Sequence, residues 1–221
     1  MPRLPIAICL ASLSALMAGC RPYYVIDMAT PIRPKLDVSR FDRVLVAGFV
    51  VNGGDPIDTD AEMRQLLRSQ LRNKAMLTVS DGAAAPVDQL QVQDAAHWRR
   101  VGEEHPRALI VTGSVSFAGQ VETQVVKTDQ RRSRAAATPQ RPMAVATVDQ
   151  QHYTLQAVFV FIDGDTGATL HVRPFRLETR YDAFQSVPPL SAFFDLMDRL
   201  LPNFLNIVSE QTFHGTRTLL K

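Results

Sequence analysis

Cysteine is scarce in this chain of 221 residues, and its two cysteines, Cys9 and Cys20, both fall within the first 20 positions. From residue 21 onward there is no thiol, which excludes a disulfide, a cysteine nucleophile and a zinc–sulfur site from that part of the chain. A chain of this length can bury enough apolar surface to fold without such cross-links. We therefore expect a folded region that depends on its hydrophobic core.

A hydrophobic run long enough to cross a membrane is also lacking near the start of the chain. The apolar stretch from Leu4 to Met17 is interrupted only by two serines and follows Arg3. A membrane-spanning helix needs about 20 apolar residues, whereas the hydrophobic part of a signal peptide needs about 7–15. The stretch therefore predicts a leader peptide over residues 1–19.

The leader ends in Leu16-Met17-Ala18-Gly19-Cys20. This segment resembles the lipobox of bacterial lipoproteins, although Met17 stands where leucine is usual. The resemblance implies a diacylglycerol thioether on Cys20 and, after cleavage, a further acyl chain such as palmitate on its amine. Three acyl chains would hold the protein permanently, because each buried methylene contributes about 0.8 kcal/mol. Plain secretion is the alternative.

Arg21 follows the predicted lipidation site. The retention signal of enteric bacteria is aspartate at this place, so by resemblance the expected location is the outer membrane, facing the periplasm. This location excludes nucleic acid as a partner. The partners that it implies are the membrane, through the lipid on Cys20, and a protein of the cell envelope.

The sequence predicts one folded unit after a short linker. Residues 20–40 contain three prolines and no steady hydrophobic period, which is typical of a lipidated N-terminus followed by a semi-extended tether. At about 3 Å per residue this tether would reach up to about 60 Å from the membrane. The folded unit, residues 41–221, is expected to begin near Phe41.

Hydrophobic periodicity predicts an α+β fold, a single domain in which helices pack on a mixed β-sheet. Strand patterns occupy residues 43–50, 76–79, 108–117, 152–162 and 168–180, and residues 121–127 are expected to turn back as a hairpin partner of 108–117. A possible capping box at Thr59 and Glu62 opens a first helix, and a second covers 94–104. After Pro188 the longest helix runs to Val208, with a kink expected at Pro202.

Residues 128–144 form a polar segment without hydrophobic period and are expected to be a flexible basic loop. Four arginines against Asp129 give it a local charge of about +3. The arginines that could contact an anionic partner are Arg131, Arg132, Arg134 and Arg141. Lipopolysaccharide phosphates, phospholipid head groups and peptidoglycan carboxylates are candidate partners; the alternative is a solvated loop without a partner.

No motif predicts catalysis, a cofactor, a metal or a small-molecule substrate. Asp163-Gly164-Asp165-Thr166-Gly167 lacks the closing glutamate of a calcium loop and is typical of a tight turn between strands. The five histidines show no metal-ligand spacing and are expected at the surface or at strand edges. A nucleophile elbow, a phosphate loop and a dinucleotide fingerprint are all missing. We therefore expect a non-enzymatic protein.

Four segments in order resemble the CsgG/LpoB-type envelope lipoproteins, whose domain is also similar to the N-terminal domain of TolB. These are the first strand, Val44 to Phe49; the helix and strand over 66–81; the stretch Ala108-Leu-Ile-Val-Thr-Gly-Ser-Val115; and the turn Phe161 to Gly167. Together they cover roughly residues 43–170. Gly48 departs from this pattern, because proline is usual at its position.

The resemblance implies a role in envelope assembly, in one of two forms. LpoB-type members activate a peptidoglycan synthase, whereas CsgG-type members form an oligomeric secretion pore. A pore subunit must donate lipid-facing strands of about 9–11 residues with apolar alternation. The segment 128–144 is too polar and too short for such a hairpin, and the other strands are expected to belong to the core. A tethered binding domain is therefore favoured, and a hydrolase with a site invisible in the sequence is the weakest alternative.

The anchor assignment makes a direct prediction. Replacing Cys20 by alanine should move the protein from the membrane fraction to the soluble fraction, because the acceptor of the lipid is lost, while the circular dichroism spectrum of the folded region stays the same. Cys9→Ala is the matched control and should remain in the membrane fraction. Retention of the Cys20→Ala protein in membranes would contradict the assignment.

Overall fold

The computed structural model describes residues 23–74, 77–80, 88–127, 145–182 and 185–220. The chain divides into two compact units. The larger unit covers Arg33–Glu210, and within the described residues the smaller unit consists of 23–32 and 211–220. No helix of the described residues is long and apolar enough to span a membrane.

The larger unit is built on a five-stranded mixed sheet and three α-helices, which confirms the predicted α+β class. The first strand of the chain, β1 (Tyr23–Ile32), belongs to the smaller unit. In chain order the elements of the larger unit are β2 (Arg43–Val51), α1 (Thr59–Lys74), β3 (Thr78–Ser80), α2 (Ala95–Glu104), β4 (Ala108–Lys127), β5 (Val145–Asp163), β6 (Thr169–Asp182) and α3 (Pro189–Val208). The strand order in the sheet is β3-β2-β4-β5-β6. β2 pairs in parallel with β3 and β4, and β4, β5 and β6 pair antiparallel.

The helices cover the two faces of the sheet unequally. Because successive side chains of a strand point to opposite faces, β4 sends Leu109 and Val111 to one face and Ile110 to the other. The first face forms the main core with α1 and α3. The second face forms a smaller cluster in which Trp98 of α2 packs with Ile110 and Val160. We call these the core face and the outer face of the sheet.

The predicted hydrophobic stripes of the helices are confirmed. In α1, Met63, Leu67 and Leu71 are fully buried. In α3 the buried stripe runs without interruption from Phe193 to Val208, and the helix continues through Pro202. The kink expected at that residue stays a prediction.

The hairpin predicted between 108–117 and 121–127 is wrong. β4 continues as one strand from Ala108 to Lys127, and its antiparallel partner is β5, with register from Leu109↔Asp163 to Lys127↔Val145. Gly119 favours a turn by composition, and Gln120 follows it. Here they are opposite Tyr153 and His152, so strand pairing overrides the local preference.

The tether predicted over residues 20–40 contains regular structure within its described part. β1 (Tyr23–Ile32) pairs antiparallel with β7 (Gln211–Leu220), and we call this two-stranded element the terminal ribbon. The larger unit begins at Arg33 rather than near Phe41. Sequence periodicity did not predict these strands, because each is paired only with a partner almost 190 residues away.

A β-bulge interrupts the pairing of β2 with β4. The register passes from Val46↔Val111 to Phe49↔Gly113, so that two residues of β2, Ala47 and Gly48, face Thr112 alone. The Thr112 hydroxyl donates a hydrogen bond of 2.8 Å to the Gly48 carbonyl. The Phe49 N–H donates to the Asp60 carboxylate of α1 at 2.7 Å. Side chains therefore satisfy backbone groups that the bulge leaves out of the ladder.

Gly113 lies at the end of this bulge, and a substitution there tests how tightly the central strands pack. Its φ is +145°, and an added Cβ would lie 1.7 Å from the Val158 carbonyl oxygen. Gly113→Ala should therefore lower the free energy of unfolding by about 2–4 kcal/mol, as judged by the midpoint of urea unfolding. Gly54→Ala is the control, because no atom lies within 4 Å of its added Cβ. Equal losses in the two variants would contradict the bulge geometry.

Candidate functional site

The sequence-predicted site residues lie outside the described residues. This holds for Cys20 and for the four arginines of the basic segment, Arg131, Arg132, Arg134 and Arg141. Lipidation and the contact with an anionic partner therefore stay predictions. Within the described residues, the candidate functional surfaces are those that the sheet itself builds.

The segment Asp163–Gly167 is a turn between β5 and β6, as predicted. One carboxylate oxygen of Asp163 accepts hydrogen bonds from the backbone N–H groups of Asp165 and Thr166 at 3.0 and 3.4 Å. Its other oxygen lies 3.2 Å from the Arg40 guanidinium. The carboxylate of Asp165 accepts a hydrogen bond of 3.0 Å from the backbone N–H of Arg107. Both carboxylates are thus engaged by protein donors and serve the turn.

No group of three or more histidine, cysteine, aspartate or glutamate side chains within the described ranges is arranged to hold a metal ion. The chemistry at the sheet surface is instead that of a histidine between two carboxylates and of an apolar pocket.

His152 contradicts the expectation that all histidines lie at the surface or at strand edges. It belongs to β5, an interior strand of the sheet, and is only 8% exposed. Its Nδ1 lies 3.5 Å from the Glu122 carboxylate and 3.3 Å from the Gln120 amide nitrogen. Its Nε2 lies 3.6 Å from the Glu178 carboxylate. The imidazole is therefore enclosed by polar groups of the two neighbouring strands.

Glu178 is itself held by a cation. The Arg176 guanidinium donates to its carboxylate at 3.0 Å, and this hydrogen bond is the main cause that lowers the pKa of Glu178. His152 lowers that pKa further as a nearby positive charge when protonated. Arg176 and Glu178 are two residues apart on β6, so they share a face of the sheet. Glu178 is thus held by Arg176, whereas His152 Nε2 is buried without a hydrogen-bond partner among the described residues.

An apolar pocket of about 340 Å³ lies on the outer face of the sheet. β2, β4, β5 and β6 supply its floor and sides, and a single turn of 3-10 helix, Gln91–Gln93, closes one side. The valines of the lining are Val50, Val92, Val158, Val160 and Val172. This volume falls at the lower end of the range for small-ligand pockets.

The polar groups of this valine-lined pocket are all neutral. They are the amides of Gln89 and Gln93 and the hydroxyls of Ser114 and Thr169. Gly113, held in place by the bulge, also lines it. Such a lining can accept an apolar group and form one or two hydrogen bonds with a polar atom attached to that group, but it supplies no acid, base or charged nucleophile.

The sequence could not reveal either surface. The pocket and the His152 cluster are each formed by strands that lie far apart in sequence, and the strand register brings them together. Alternation within β5 could have placed His152 on the face opposite Tyr153 and Leu155. It could not have placed Glu122 and Glu178 beside it, because the positions of β4 and β6 relative to β5 have no local signal.

No protein-family model and no curated protein matches the sequence. Among solved structures, the chain is similar to a neuraminyllactose-binding hemagglutinin homolog from Helicobacter pylori, with 15% identity, a TM-score of 0.41, and coverage of 80% of this chain and 89% of that one. It is also similar to a protein from Paraburkholderia phytofirmans described as the PelC dodecamer (15% identity, TM-score 0.41, coverage 84% and 100%). A third likeness is to the lipoprotein GNA1162 from Neisseria meningitidis (12% identity, TM-score 0.32, coverage 74% and 98%). At these identities and TM-scores, the similarity assigns neither a family nor a function to this chain.

The contact between Arg176 and Glu178 predicts a pH effect. A lowered carboxylate pKa stabilises the fold at pH values above the unfolded pKa, and this contribution is lost as the pH falls through the folded pKa. Arg176→Gln should therefore raise the pKa of Glu178 toward its ordinary value near 4.5. It should also lower stability at neutral pH, by an amount that shrinks on acidification.

Carboxyl-carbon NMR titration of Glu178 measures the pKa change, and urea unfolding across pH measures the stability. Arg173→Gln is the control, since this arginine lies over the Phe175 ring and should leave Glu178 unchanged. An unaltered Glu178 titration in Arg176→Gln would refute the assigned cause.

Proposed function

We propose that this chain is a lipoprotein of the bacterial outer membrane, facing the periplasm, and a non-enzymatic accessory component in assembly of the cell envelope. Activation of a peptidoglycan synthase, as in LpoB-type proteins, is the form that we favour. The observation that carries the proposal is the sequence Leu16-Met17-Ala18-Gly19-Cys20 after a short apolar run. Lipidation of Cys20 would confine the folded region to the membrane surface.

The pocket on the outer face supports binding rather than catalysis. Five valines form half of its lining, and its polar groups are neutral amides and hydroxyls. General acid–base chemistry requires a titratable group within reach of the substrate, and none of the ten lining residues has one. An apolar side chain of a protein partner suits such a pocket, because its burial supplies about 1.5–3 kcal/mol.

The His152 cluster also fits a binding protein better than an enzyme. Each ring nitrogen of His152 faces a carboxylate at 3.5 or 3.6 Å, and Glu178 is itself held by Arg176. A catalytic histidine needs one nitrogen available to a substrate proton. Here His152 is only 8% exposed, and its Nε2 is buried without a hydrogen-bond partner among the described residues, so a substrate would not reach that nitrogen.

The alternative is a homo-oligomeric export component of the CsgG type. One observation favours it: contrary to the expectation that all strands belong to the core, β4 continues for ten residues beyond Phe117, and the side chains of 118–121 are exposed. This is the length of a membrane-spanning strand. The described side chains argue against lipid contact, because Gln120 and Glu122 on one face and Thr123 on the other are polar.

The pocket hypothesis predicts where the partner binds. A photo-crosslinking amino acid at Gln93, on the exposed rim of the pocket, should yield a dominant adduct with one envelope protein in living cells. The same amino acid at Gln65, exposed on α1, is the control and should give much less of that adduct. Mass spectrometry of adducts purified through a C-terminal tag identifies the partner.

A second variant tests whether the adduct requires the pocket itself or only the surface around it. Ser114→Leu would fill part of the cavity and should reduce the Gln93 adduct several-fold, whereas Ser69→Leu on α1 should leave it unchanged. A ladder of self-adducts without a heterologous band would favour the export alternative. Adducts of equal yield from Gln93 and Gln65 would refute a role for the pocket.

A further inference from the structure

The terminal ribbon has two unlike faces. Residues directly opposite each other in an antiparallel pair share a face, so the pairs Tyr24↔Leu219 and Ile26↔Arg217 lie on the same side of the ribbon. Met28 and Ile32 follow on that side at the same period of two. This side, interrupted by Thr30, is here called the apolar ribbon face.

The opposite face of the terminal ribbon begins with the pairs Tyr23↔Leu220 and Val25↔Thr218 and is more polar after them. Its pairs include Asp27↔Thr216 and Ala29↔His214. Among the side chains that the structure describes on this face, Val25 is the one large apolar group. The ribbon is therefore amphipathic from Ile26 onward, although neither strand alone shows a clean alternation.

The large side chains that the structure describes on the apolar ribbon face are exposed. Its large side chains are between 38% and 58% exposed; they are Tyr24, Ile26, Met28, Ile32 and Leu219. A two-stranded element is at best marginally stable in water, because it has no second layer against which to bury its side chains. An amphipathic ribbon with an open apolar face thus requires a surface that covers it.

The position of the ribbon in the chain indicates which surface that is. β1 begins at Tyr23, three residues after Cys20. Three residues span at most about 11 Å, whereas the head-group region of one leaflet is about 5–8 Å thick. With acyl chains on Cys20, the start of the ribbon would lie at the membrane interface. Tyr24 suits this depth, because tyrosine combines an apolar ring with a hydroxyl that reaches water.

We propose that the apolar ribbon face lies on the phospholipid surface of the membrane that anchors Cys20. Ile26, Met28 and Leu219 contact the boundary of the acyl chains, and Arg217, on the same face, reaches the head-group phosphates. Asp27 and His214 face the periplasm. The inference rests on the proposed lipidation, and it adds a second membrane contact that orients the chain after the anchor.

Adjacent residues on opposite faces provide the test. Because no free thiol remains after cleavage and acylation, Ile26→Cys and Asp27→Cys each give a single labelling site in the full lipidated protein. Both carry the fluorophore NBD, and the protein is reconstituted in vesicles of phosphatidylethanolamine and phosphatidylglycerol. At position 26 we expect a blue-shifted emission, strong quenching by spin-labelled lipid and several-fold weaker quenching by iodide than at position 27.

A second pair of cysteine variants checks that the result does not come from a local effect of either substitution. Met28→Cys should behave like the label at position 26, and Thr216→Cys, opposite Asp27 on β7, like the label at position 27. Equal iodide quenching at all four positions would overturn the proposal. The labels at positions 26 and 28 could instead be protected from iodide without being quenched by spin-labelled lipid. If that protection increased with the density of protein on the vesicles, the face would be covered by a second copy of the chain, and the proposal would be overturned.

Failure of the proposed function gives a different result. If Cys20 is not lipidated, mass spectrometry finds no acyl chains on the protein, and the protein does not float with the vesicles. A protein that floats but lacks the alternation between positions 26 and 27 refutes only the ribbon contact.

Discussion

The antiparallel pairing of β4 with β5 is the constraint on which the larger unit depends. It runs from Leu109↔Asp163 to Lys127↔Val145 and fixes, residue by residue, which side chains point to each face of the sheet. The odd-numbered residues from Tyr153 to Phe161 fill the core under α1 and α3, and the even-numbered ones form the outer face. A shift of one residue would reverse both sets. The core, the pocket and the His152 cluster thus depend on one register.

Unequal covering of the two faces leaves room for a binding surface. The 20-residue helix α3 supplies ten buried side chains to the core face, whereas the ten-residue α2 buries only Trp98 and Gly102 on the other. Gly102 lets α2 approach closely, since an added Cβ would lie 1.9 Å from the Gly164 carbonyl oxygen. On the rest of this face, the valines of the pocket are covered only by the 3-10 turn Gln91–Gln93, which precedes α2 in the chain. The pocket is therefore the part of the outer face that α2 does not reach.

Local patterns predicted the elements better than their partners. The stripes of α1 and α3, the buried strand at Val44 and the Asp163–Gly167 turn were recognisable because their signals repeat within a few residues. Pairing across long distances has no such signal, so the periodicity does not predict β1 and β7, and residues 121–127, predicted as a hairpin partner of 108–117, instead continue the same strand. The pocket was missed for the same reason, since its lining comes from four strands and a connecting segment. His152 was placed wrongly because burial of a histidine depends on neighbours that only the register supplies.

Confinement to a membrane changes how strong a docking contact must be. A pocket of about 340 Å³ holds a single large side chain, which contributes only about 1.5–3 kcal/mol and would not by itself hold a partner that diffuses freely in solution. When both proteins are attached at one surface, the effective concentration can reach the order of 1 mM. At that concentration a contact is half occupied when it supplies about 4 kcal/mol, so the pocket needs only a modest contribution from the surface around it. The proposed lipid anchor and the small neutral pocket would therefore be complementary: the anchor would supply proximity, and the pocket would contribute to the choice of partner.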